Sequence, residues 1–287
     1  MPLDEEAAKR TIAKLKDLPT LPQVVAKVMQ VVGNPMATAA DLNEVISMDQ
    51  ALTAKVLRLA NSAYYGFPKE ITNITQAVVI LGFNTIRNLA LSVSVHRLLF
   101  EGRERGRFSH RDFWKHSVAT AVLAKILAKK VGFKSEENAF TAGLLHDIGK
   151  NFFDQHSHEE FNQALQASRQ TGRPLWMEER EILSLDHGQV GRWMAEKWNL
   201  PADLTAAIAL HHQPNLEDAH GVLVAIVHAA NEISREQGLG SSGDESPVEV
   251  RSEVLQFLKL GDREMKEIQE ELGKGMKEAE NFFMIGR

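Results

Sequence analysis

The spacing of apolar residues predicts helices along almost the whole chain. In the segment LPQVVAKVMQVV the apolar positions recur at helical intervals, at Val24, Val25, Val28, Val31 and Val32. Pro22 precedes them and suits a first helical turn. Residues 41–47 and 51–60 predict two further short helices, with Asp49 as the N-cap between them.

The segment ITQAVVILGFNTIRNLALSVSVHRLLF is rich in β-branched residues, which also suit strands. Its apolar positions do not alternate cleanly, so the pattern favours helices. Gly82 and Asn84 indicate a break between two of them.

Beyond residue 110, longer apolar patterns predict a second group of helices. They are expected at 113–130, from Ser135 to about residue 147, and at 187–198, 202–211 and 222–235. The segment GLGSSGDESP, at 238–247, has the composition of a flexible loop. Amphipathic helices are expected after residue 248. The predicted fold class is all-α.

Composition excludes several classes of protein. The 287 residues are 44% hydrophobic and 25% charged, which is ordinary for a globular protein. Cysteine is absent, so disulfides, thiolate zinc sites and cysteine nucleophiles are excluded. No apolar run approaches the roughly 20 residues of a membrane span, and the acidic start MPLDEEAAKR does not resemble a signal peptide. We therefore expect a cytoplasmic protein without a membrane partner.

Charge gives little reason to expect a nucleic-acid partner. The net charge is -5. The polar connector EGRERGRFSH, at 101–110, and the residue after it contain a small basic cluster: Arg103, Arg105, Arg107 and Arg111. Glu101 and Glu104 interrupt this cluster, which favours a solvated loop over a nucleic-acid contact.

The stretch LLHDIGK is the most informative for chemistry. An apolar helical segment leads to His146 and Asp147 as neighbours at a helix end, Gly149 then permits a turn, and Lys150 follows. An adjacent imidazole and carboxylate can bind one divalent cation together, or the carboxylate can bridge two. Such a pair also arises by chance, so the pair alone leaves both interpretations open.

Four further histidines strengthen the metal interpretation. His116 lies within an apolar helical pattern, His187 begins a helix, and His211 with His212 ends another. Neighbours on a regular helix point about 100° apart, so both members of the pair reach one site only where the helix frays. Pro214 makes such fraying credible.

Two polar residues near these histidines need an explanation. Asn231 lies in an apolar helix, where a buried amide without a partner costs a few kcal/mol. Asp112 precedes His116 by one helical turn and either serves the same site or caps the helix. The other histidines are expected to be ordinary hydrogen-bonded or solvated residues: His96, His110, His156, His158, His220 and His228.

The order of these histidines and acids resembles the HD superfamily of metal-dependent phosphohydrolases. Up to about residue 240 the chain resembles the HDOD family, the HD-related output domains of bacterial signalling proteins, through LPTLPQVVAKVMQ, DQALTAKVLRLANSAYYG and ITNITQAVVILGFNTIRNLAL. The resemblance implies an HD-type multi-helix bundle at 106–240. It would be preceded by a helical N-terminal subdomain at 1–105 and followed by a helical tail at 241–287.

The resemblance also implies a metal site of one or two ions. The first metal would be held by His116, His146, Asp147 and Asn231, which stands where the family has an aspartate. Asp147 would bridge to a second metal on His187 and His211. His212 matches the second histidine of the HD-GYP relatives, and Lys150 matches a lysine that faces substrate phosphate in that family. Asp147 and Lys150 are thus the expected catalytic residues, although the GYP signature itself is absent.

The expected cofactor is a divalent transition metal, with iron favoured over manganese, nickel and zinc. Histidine and carboxylate ligands without thiolate discriminate only weakly among these ions. The amide at Asn231 lacks the negative charge of a carboxylate, but its carbonyl oxygen can still coordinate a metal.

Two functions follow from the resemblance. The first is a regulatory module whose N-terminal half binds signalling proteins and whose metal site is structural or senses a ligand. Many HDOD members are non-catalytic output modules of this kind. The alternative is a phosphohydrolase or cyclic-dinucleotide phosphodiesterase with a binuclear centre, in which Lys150 neutralises developing phosphoryl charge. Both functions make a phosphate-containing or nucleotide compound the expected ligand.

Overall fold

The structure, a computed structural model, describes residues 19–100, 108–248 and 250–279, without the side chains of residues 98–100. Within these ranges the chain contains helices and no β-strand, which confirms the all-α prediction. No helix in them is long and apolar enough to cross a membrane. Most of the predicted connector, residues 101–107, lies outside the described residues, so the domain boundary there stays a prediction.

The N-terminal part consists of short helices with clear end signals. They are α1 (Gln23–Gly33), α2 (Ala39–Ser47), α3 (Gln50–Ala60), α4 (Ile74–Leu81) and α5 (Phe83–Phe100). Asp49 caps α3 by accepting a hydrogen bond from the backbone N–H of Leu52, which confirms the predicted N-cap. Gly82 separates α4 from α5 where the break is predicted.

The second part is a bundle that surrounds one long helix. Its members are α6 (His110–Lys130), α7 (Glu136–Leu145), α8 (Ile148–His156), α9 (His158–Thr171), α10 (Leu175–Leu183), α11 (His187–Lys197), α12 (Ala202–Leu210) and α13 (Gly221–Glu236). Helix α6 is buried on most of its surface, between α7 and α13. Helix α11 packs against α8 and α12. These packings bring the ends of α7, α11 and α12 towards the middle of α6.

Helices α8, α9 and α10 were not predicted from the sequence. Only Ser157 separates α8 from α9, without the proline or glycine that usually marks a helix end. Gly172 and Pro174 do mark the junction of α9 and α10, and the sequence reasoning overlooked this signal. The long predicted helix after Ser135 ends earlier, at Leu145, and the chain turns before α8 begins.

The C-terminal part packs onto the bundle. It contains α14 (Ser252–Phe257) and α15 (Asp262–Glu278), and α15 lies against α6. The predicted loop at 238–247 is not helical, but it does not extend into solvent. The backbone N–H of Ser241 donates to the carbonyl oxygen of Asp112, and the guanidinium of Arg235 donates to the carbonyl oxygen of Ser246. Residues 238–247 thus pack against the start of α6.

His96, on α5, makes stability sensitive to acid. Its ring lies edge-on to Trp114, with the centroids 5.0 Å apart. Burial, and secondly the nearby Lys55, lowers the pKa of His96 to about 4. A histidine in the unfolded chain titrates near about 6.5, so between these two values the unfolded state binds more protons than the folded state. The free energy of unfolding should therefore fall as the pH drops from about 6.5 to about 4.

We expect His96 to account for on the order of 1–2 kcal/mol of this loss, discounted for partial solvent screening. Urea unfolding at pH 7.5 and at pH 5 measures this loss in the free energy of unfolding. The variant His96→Gln should lose less stability on acidification than the parent protein, whereas His220→Gln should match the parent. Equal losses in His96→Gln and in the parent would contradict the assignment.

Candidate metal centre

The structure brings six of the predicted ligands together from five elements. They are His116 in the middle of α6, His146 and Asp147 between α7 and α8, His187 at the start of α11, and His211 and His212 at the end of α12. All of them except His212 are at most 1% exposed. Charged and polar groups this deeply buried need partners or a bound ion.

The first group of donors is formed by His116, His146 and Asp147. The Nε2 atoms of the two histidines lie 3.4 Å apart. The Oδ2 atom of Asp147 lies 3.2 Å from Nε2 of His146 and 3.7 Å from Nε2 of His116. One cation can therefore contact all three.

The second group uses the other oxygen of the same carboxylate. Oδ1 of Asp147 lies 3.1 Å from Nε2 of His187 and 3.5 Å from Nε2 of His211. Nε2 of His187 is in turn 2.9 Å from Nε2 of His212 and 3.4 Å from Nε2 of His211. Asp147 thus faces two donor groups with one oxygen each, which is the arrangement of a bridging carboxylate.

These separations suit a metal ion. Donors held at about 2.1 Å from one ion, at right or tetrahedral angles, lie roughly 3.0–3.4 Å apart. Most of the distances within the two groups fall in or near this range.

Hydrogen bonds to backbone carbonyl groups fix the Nδ1 atoms of two of these histidines. Nδ1 of His146 donates to the carbonyl oxygen of Gly143 at 2.7 Å, and Nδ1 of His211 donates to that of Ile208 at 2.9 Å. A carbonyl only accepts hydrogen bonds, so the proton is on Nδ1 and the lone pair is on Nε2. Lone pairs therefore point into both groups, as metal-binding histidines require.

Glu179 is a functional residue that the sequence reasoning missed. It is buried on α10, and its Oε2 atom accepts hydrogen bonds from both the backbone N–H and Nδ1 of His187, at 2.9 and 2.6 Å. Burial alone would lower the pKa of His187, but the Glu179 carboxylate outweighs it and raises that pKa to about 9. The acidic pair Glu178-Glu179 was the only signal, and the sequence does not say which of the two buried carboxylates contacts His187.

We expect the change Glu179→Ala to lower metal affinity at the second group by about 10–100-fold, because His187 loses the partner that orients it. Titration of metal against a competing chelator measures the affinity. The matched control is Glu178→Ala, since that carboxylate contacts Thr171 and Arg173 instead. If both variants bind metal equally well, Glu179 has no role in the site.

Lys150 lies within the site. It is buried, and its Nζ donates to Oδ2 of Asp147 at 2.6 Å. Burial would raise the pKa of Asp147, but its interactions with His146 and Lys150 hold it well below the usual range. Asp147 is therefore an ionised carboxylate, ready to bind a cation.

Asn231 is placed on the face of α13 that meets His116. Ser234, one turn further along, has its Oγ 3.3 Å from Nδ1 of His116. The amide of Asn231 donates through Nδ2 to Oε1 of Glu232 at 3.0 Å, so its orientation is fixed. Its buried Oδ1 has no hydrogen-bond partner among the described residues, and its role as a metal ligand stays a prediction.

Asp112 is not part of the site. Its carboxylate is about half-exposed, 3.7 Å from Nζ of Lys115. It does not cap the helix either, because the N-cap of α6 is Ser109, whose side chain accepts from the backbone N–H of Asp112. Both interpretations of Asp112 from the sequence are wrong, since a shared helix face does not mean a shared depth of burial.

The other histidines lie outside both donor groups. His110 and His158 contact the two oxygens of the buried Asp154, at 2.8 and 2.9 Å. His228 donates through Nδ1 to the carbonyl oxygen of His211 at 2.8 Å, and so supports the end of α12.

The fold and the site define a class: helical domains that hold a buried histidine and aspartate cluster of the HD type. The HDOD domain family matches residues 18–214, and the chain belongs to this family. The match ends before α13, so Asn231 and Ser234 come from outside it.

Two curated relatives show how far the similarity extends. An uncharacterised protein of Treponema pallidum is 27% identical over 220 residues, which are 76% of this chain and 42% of that protein. Ribonuclease Y of Thermus thermophilus is 32% identical over 130 residues, which are 45% of this chain and 18% of that enzyme. The chain thus spans less than half the length of these relatives.

Two crystal structures resemble the whole chain. An HDOD domain protein of unknown function from Geobacter sulfurreducens is 26% identical, with a TM-score of 0.79, and the match covers 98% of this chain and 96% of that one. A provisionally named phosphohydrolase from Shewanella amazonensis is 27% identical, with a TM-score of 0.74, and the match covers 96% of this chain and 98% of that one.

Proposed function

We propose that this protein is a cytoplasmic regulatory HDOD module whose binuclear metal centre stabilises the fold and senses a small ligand. The burial of the centre carries the proposal. Asp147 and four of the candidate histidine ligands are at most 1% exposed, and the partly buried His212 lines a surface pocket. The shared carboxylate is thus shielded from solvent, which favours a structural or sensing role over the turnover of a bulky nucleotide.

In this proposal, each group of donors would hold one ion. The first ion would be held by His116, His146, Asp147 and Asn231, and the second by Asp147, His187, His211 and His212. Iron is the proposed metal, ahead of manganese, nickel and zinc. Imidazoles and a carboxylate without thiolate suit all four ions. The bound ions would supply Lewis-acid charge that attracts and polarises phosphate oxygens.

The N-terminal helices would bind a signalling protein. Several large apolar side chains there are exposed: Met36 at 84%, Val79 at 75% and Met48 at 59%. All three lie in the N-terminal part, and a contiguous patch of such side chains is typical of an interaction surface. No nucleic-acid partner is proposed, because the net charge is -5 and the similarity to ribonuclease Y covers only 18% of that enzyme.

A second candidate function is metal-dependent phosphoester hydrolysis. It is favoured by the two donor groups that share Asp147, together with the ammonium of Lys150 at 2.6 Å from that carboxylate. In such a reaction, Lys150 would stabilise negative charge on the phosphoryl group, and Asp147 would hold both ions in place.

One experiment separates the two functions. The full chain is purified under reducing conditions, loaded with iron or manganese, and tested for hydrolysis of nucleoside phosphates and cyclic dinucleotides. We expect bound metal with no sustained turnover. Efficient hydrolysis that is lost in Lys150→Ala would overturn the first proposal in favour of the second. A chain that binds no metal would contradict both.

A further inference from the structure

The loop at 238–247 lies directly on the turn of α6 that carries His116. The backbone N–H of Ser241 donates to the carbonyl oxygen of Asp112 at 3.0 Å. Gly240 has a positive φ of 79°, and a Cβ added to it would lie 2.4 Å from the backbone nitrogen of His116. This close approach requires glycine, and it places the loop against the backbone of a candidate metal ligand.

Arg235, at the end of α13, binds this loop through a largely buried side chain that is 8% exposed. One terminal nitrogen of its guanidinium lies 3.3 Å from Oδ1 of Asp244 and donates to the carbonyl oxygen of Ser246 at 2.8 Å. The other terminal nitrogen donates to Oε2 of Glu232 at 2.8 Å. The carboxylates of Asp244 and Glu232 are 2% and 6% exposed, so the three charges form a buried ion cluster. Such a cluster is stable only while all its members are in place, and one member belongs to the loop.

The buried ion cluster reaches the first donor group through Glu232. The Oε1 atom of that residue accepts a hydrogen bond from Nδ2 of Asn231 at 3.0 Å, which fixes the orientation of the amide. Ser234, in the same turn of α13, has its Oγ 3.3 Å from Nδ1 of His116. Arg235 is thus connected, by successive contacts, to the part of α13 that faces the first donor group.

Asp244 reaches the second donor group through α10. Pro174 precedes this helix and provides no side-chain cap. Oδ2 of Asp244 instead accepts a hydrogen bond from the backbone N–H of Leu175, the first residue of the helix, at 3.2 Å. A carboxylate at a helix N-terminus satisfies an N–H group that lacks a partner within the helix, and it interacts favourably with the helix dipole. The loop therefore caps the helix that carries Glu179, whose carboxylate orients His187.

We propose, on the basis of the metal function proposed above, that Arg235 and Asp244 are positioning residues for both donor groups. With the loop closed, Arg235 holds Glu232 beside Asn231, and Asp244 holds the start of α10. An open loop would remove Asp244 from Arg235 and from α10 at once, so both donor groups would lose order together. The loop at 238–247 is thus a functional part of the metal centre, although it lies beyond residue 214, where the family match ends.

Cobalt(II) binding to the full chain tests this role. Titration against a competing chelator gives the affinity, and the visible absorption of the bound ion reports its ligand geometry. We expect Arg235→Gln and Asp244→Asn each to lower the affinity by about tenfold and to change the absorption spectrum, because the ligands are then less well ordered. Arg235→Lys should recover part of the affinity, since the charge remains without the planar fork.

The matched control is Arg87→Gln, which removes another buried arginine, on α5, whose hydrogen bonds go to Asn88 and Asn138. It should lose stability but keep the cobalt affinity and the spectrum of the parent. Amide hydrogen exchange adds a measurement that needs no substitution. Cobalt should slow exchange of the Ser241 N–H by about the same factor, because closure and metal binding favour each other equally and this N–H is bonded to α6 in the closed loop. The slowing should be lost in Arg235→Gln and kept in the control.

Three results would overturn the positioning role and leave the proposed metal function standing, since the parent still binds the ion. They are a parent-like cobalt affinity in Arg235→Gln, equal losses of affinity in Arg235→Gln and Arg87→Gln, and exchange of the Ser241 N–H that cobalt does not change. The exchange result stands even where a substituted chain does not fold, because the parent supplies it. A parent that binds neither cobalt, iron nor manganese would instead refute the metal function itself.

Discussion

The change Asp147→Asn is expected to lower the affinity for metal in both donor groups by more than about 100-fold. The parent protein should hold one or two equivalents of transition metal, because two groups of donors converge on this carboxylate. Each oxygen of Asp147 faces a different group, at 3.2 Å from Nε2 of His146 and 3.1 Å from Nε2 of His187. An amide offers one oxygen and no negative charge, so it cannot bridge two cations.

Elemental analysis of the purified proteins measures this effect. The matched control is Asp154→Asn, which makes the same change in another buried aspartate between two histidines, at a place where no donor group forms among the described residues. The control should keep its metal. A parent-like metal content in Asp147→Asn would refute the shared-carboxylate arrangement.

Loss of Asp147 also leaves Lys150 buried without its anion, which costs about 3–5 kcal/mol and can unfold the variant. A second variant, His146→Ala, keeps that ion pair and should lose only the metal of the first group. Metal-dependent increases in melting temperature should follow the same order: largest in the parent, smaller in His146→Ala and absent in Asp147→Asn.

The change Gly149→Ala is expected to destabilise the protein by roughly 3 kcal/mol or more. A Cβ at this position would lie 2.1 Å from the carbonyl oxygen of His187 and 2.9 Å from its Cα. These are backbone atoms, so relief requires α8 and α11 to move apart. That movement would also separate Asp147 from His187. The sequence prediction of a turn at Gly149 is wrong, since the residue lies inside α8 and is needed for close helix packing.

Urea unfolding compares this variant with Gly273→Ala, in which the same substitution meets open space on α15. The control should be more stable than the parent by about 1 kcal/mol, because alanine is the better helix former. Gly149→Ala should also lose metal at the second group. A variant with normal stability and normal metal content would show that α8 and α11 do not approach as closely as described.

Local signals predicted much of the fold. Asp49 and Gly82 mark helix ends because capping and chain breaks depend on a few neighbouring residues. Helices α8 and α9 were missed because they are joined without such a signal, whereas Gly172 and Pro174 mark the junction of α9 and α10 and were overlooked.

The candidate ligands could be selected from sequence because imidazole next to carboxylate, repeated at helix ends, is a chemical pattern that does not depend on packing. The resemblance to a family then ordered them into two groups. Their supporting residues could not be found in this way. Glu178 and Glu179 are chemically identical neighbours with different partners, and Asp112 shares a helix face with His116 yet remains half-exposed.

Residue chemistry and helical periodicity, which are local properties, are thus sufficient to define an all-α protein with a histidine and aspartate site. The packing of α6, α8, α11 and α12 decides that Asp147 turns one oxygen to each group, that Glu179 orients His187, and that His212 lines a surface pocket. Distance and burial depend on residues far apart in the chain, and for that reason they are fixed only when the helices come together.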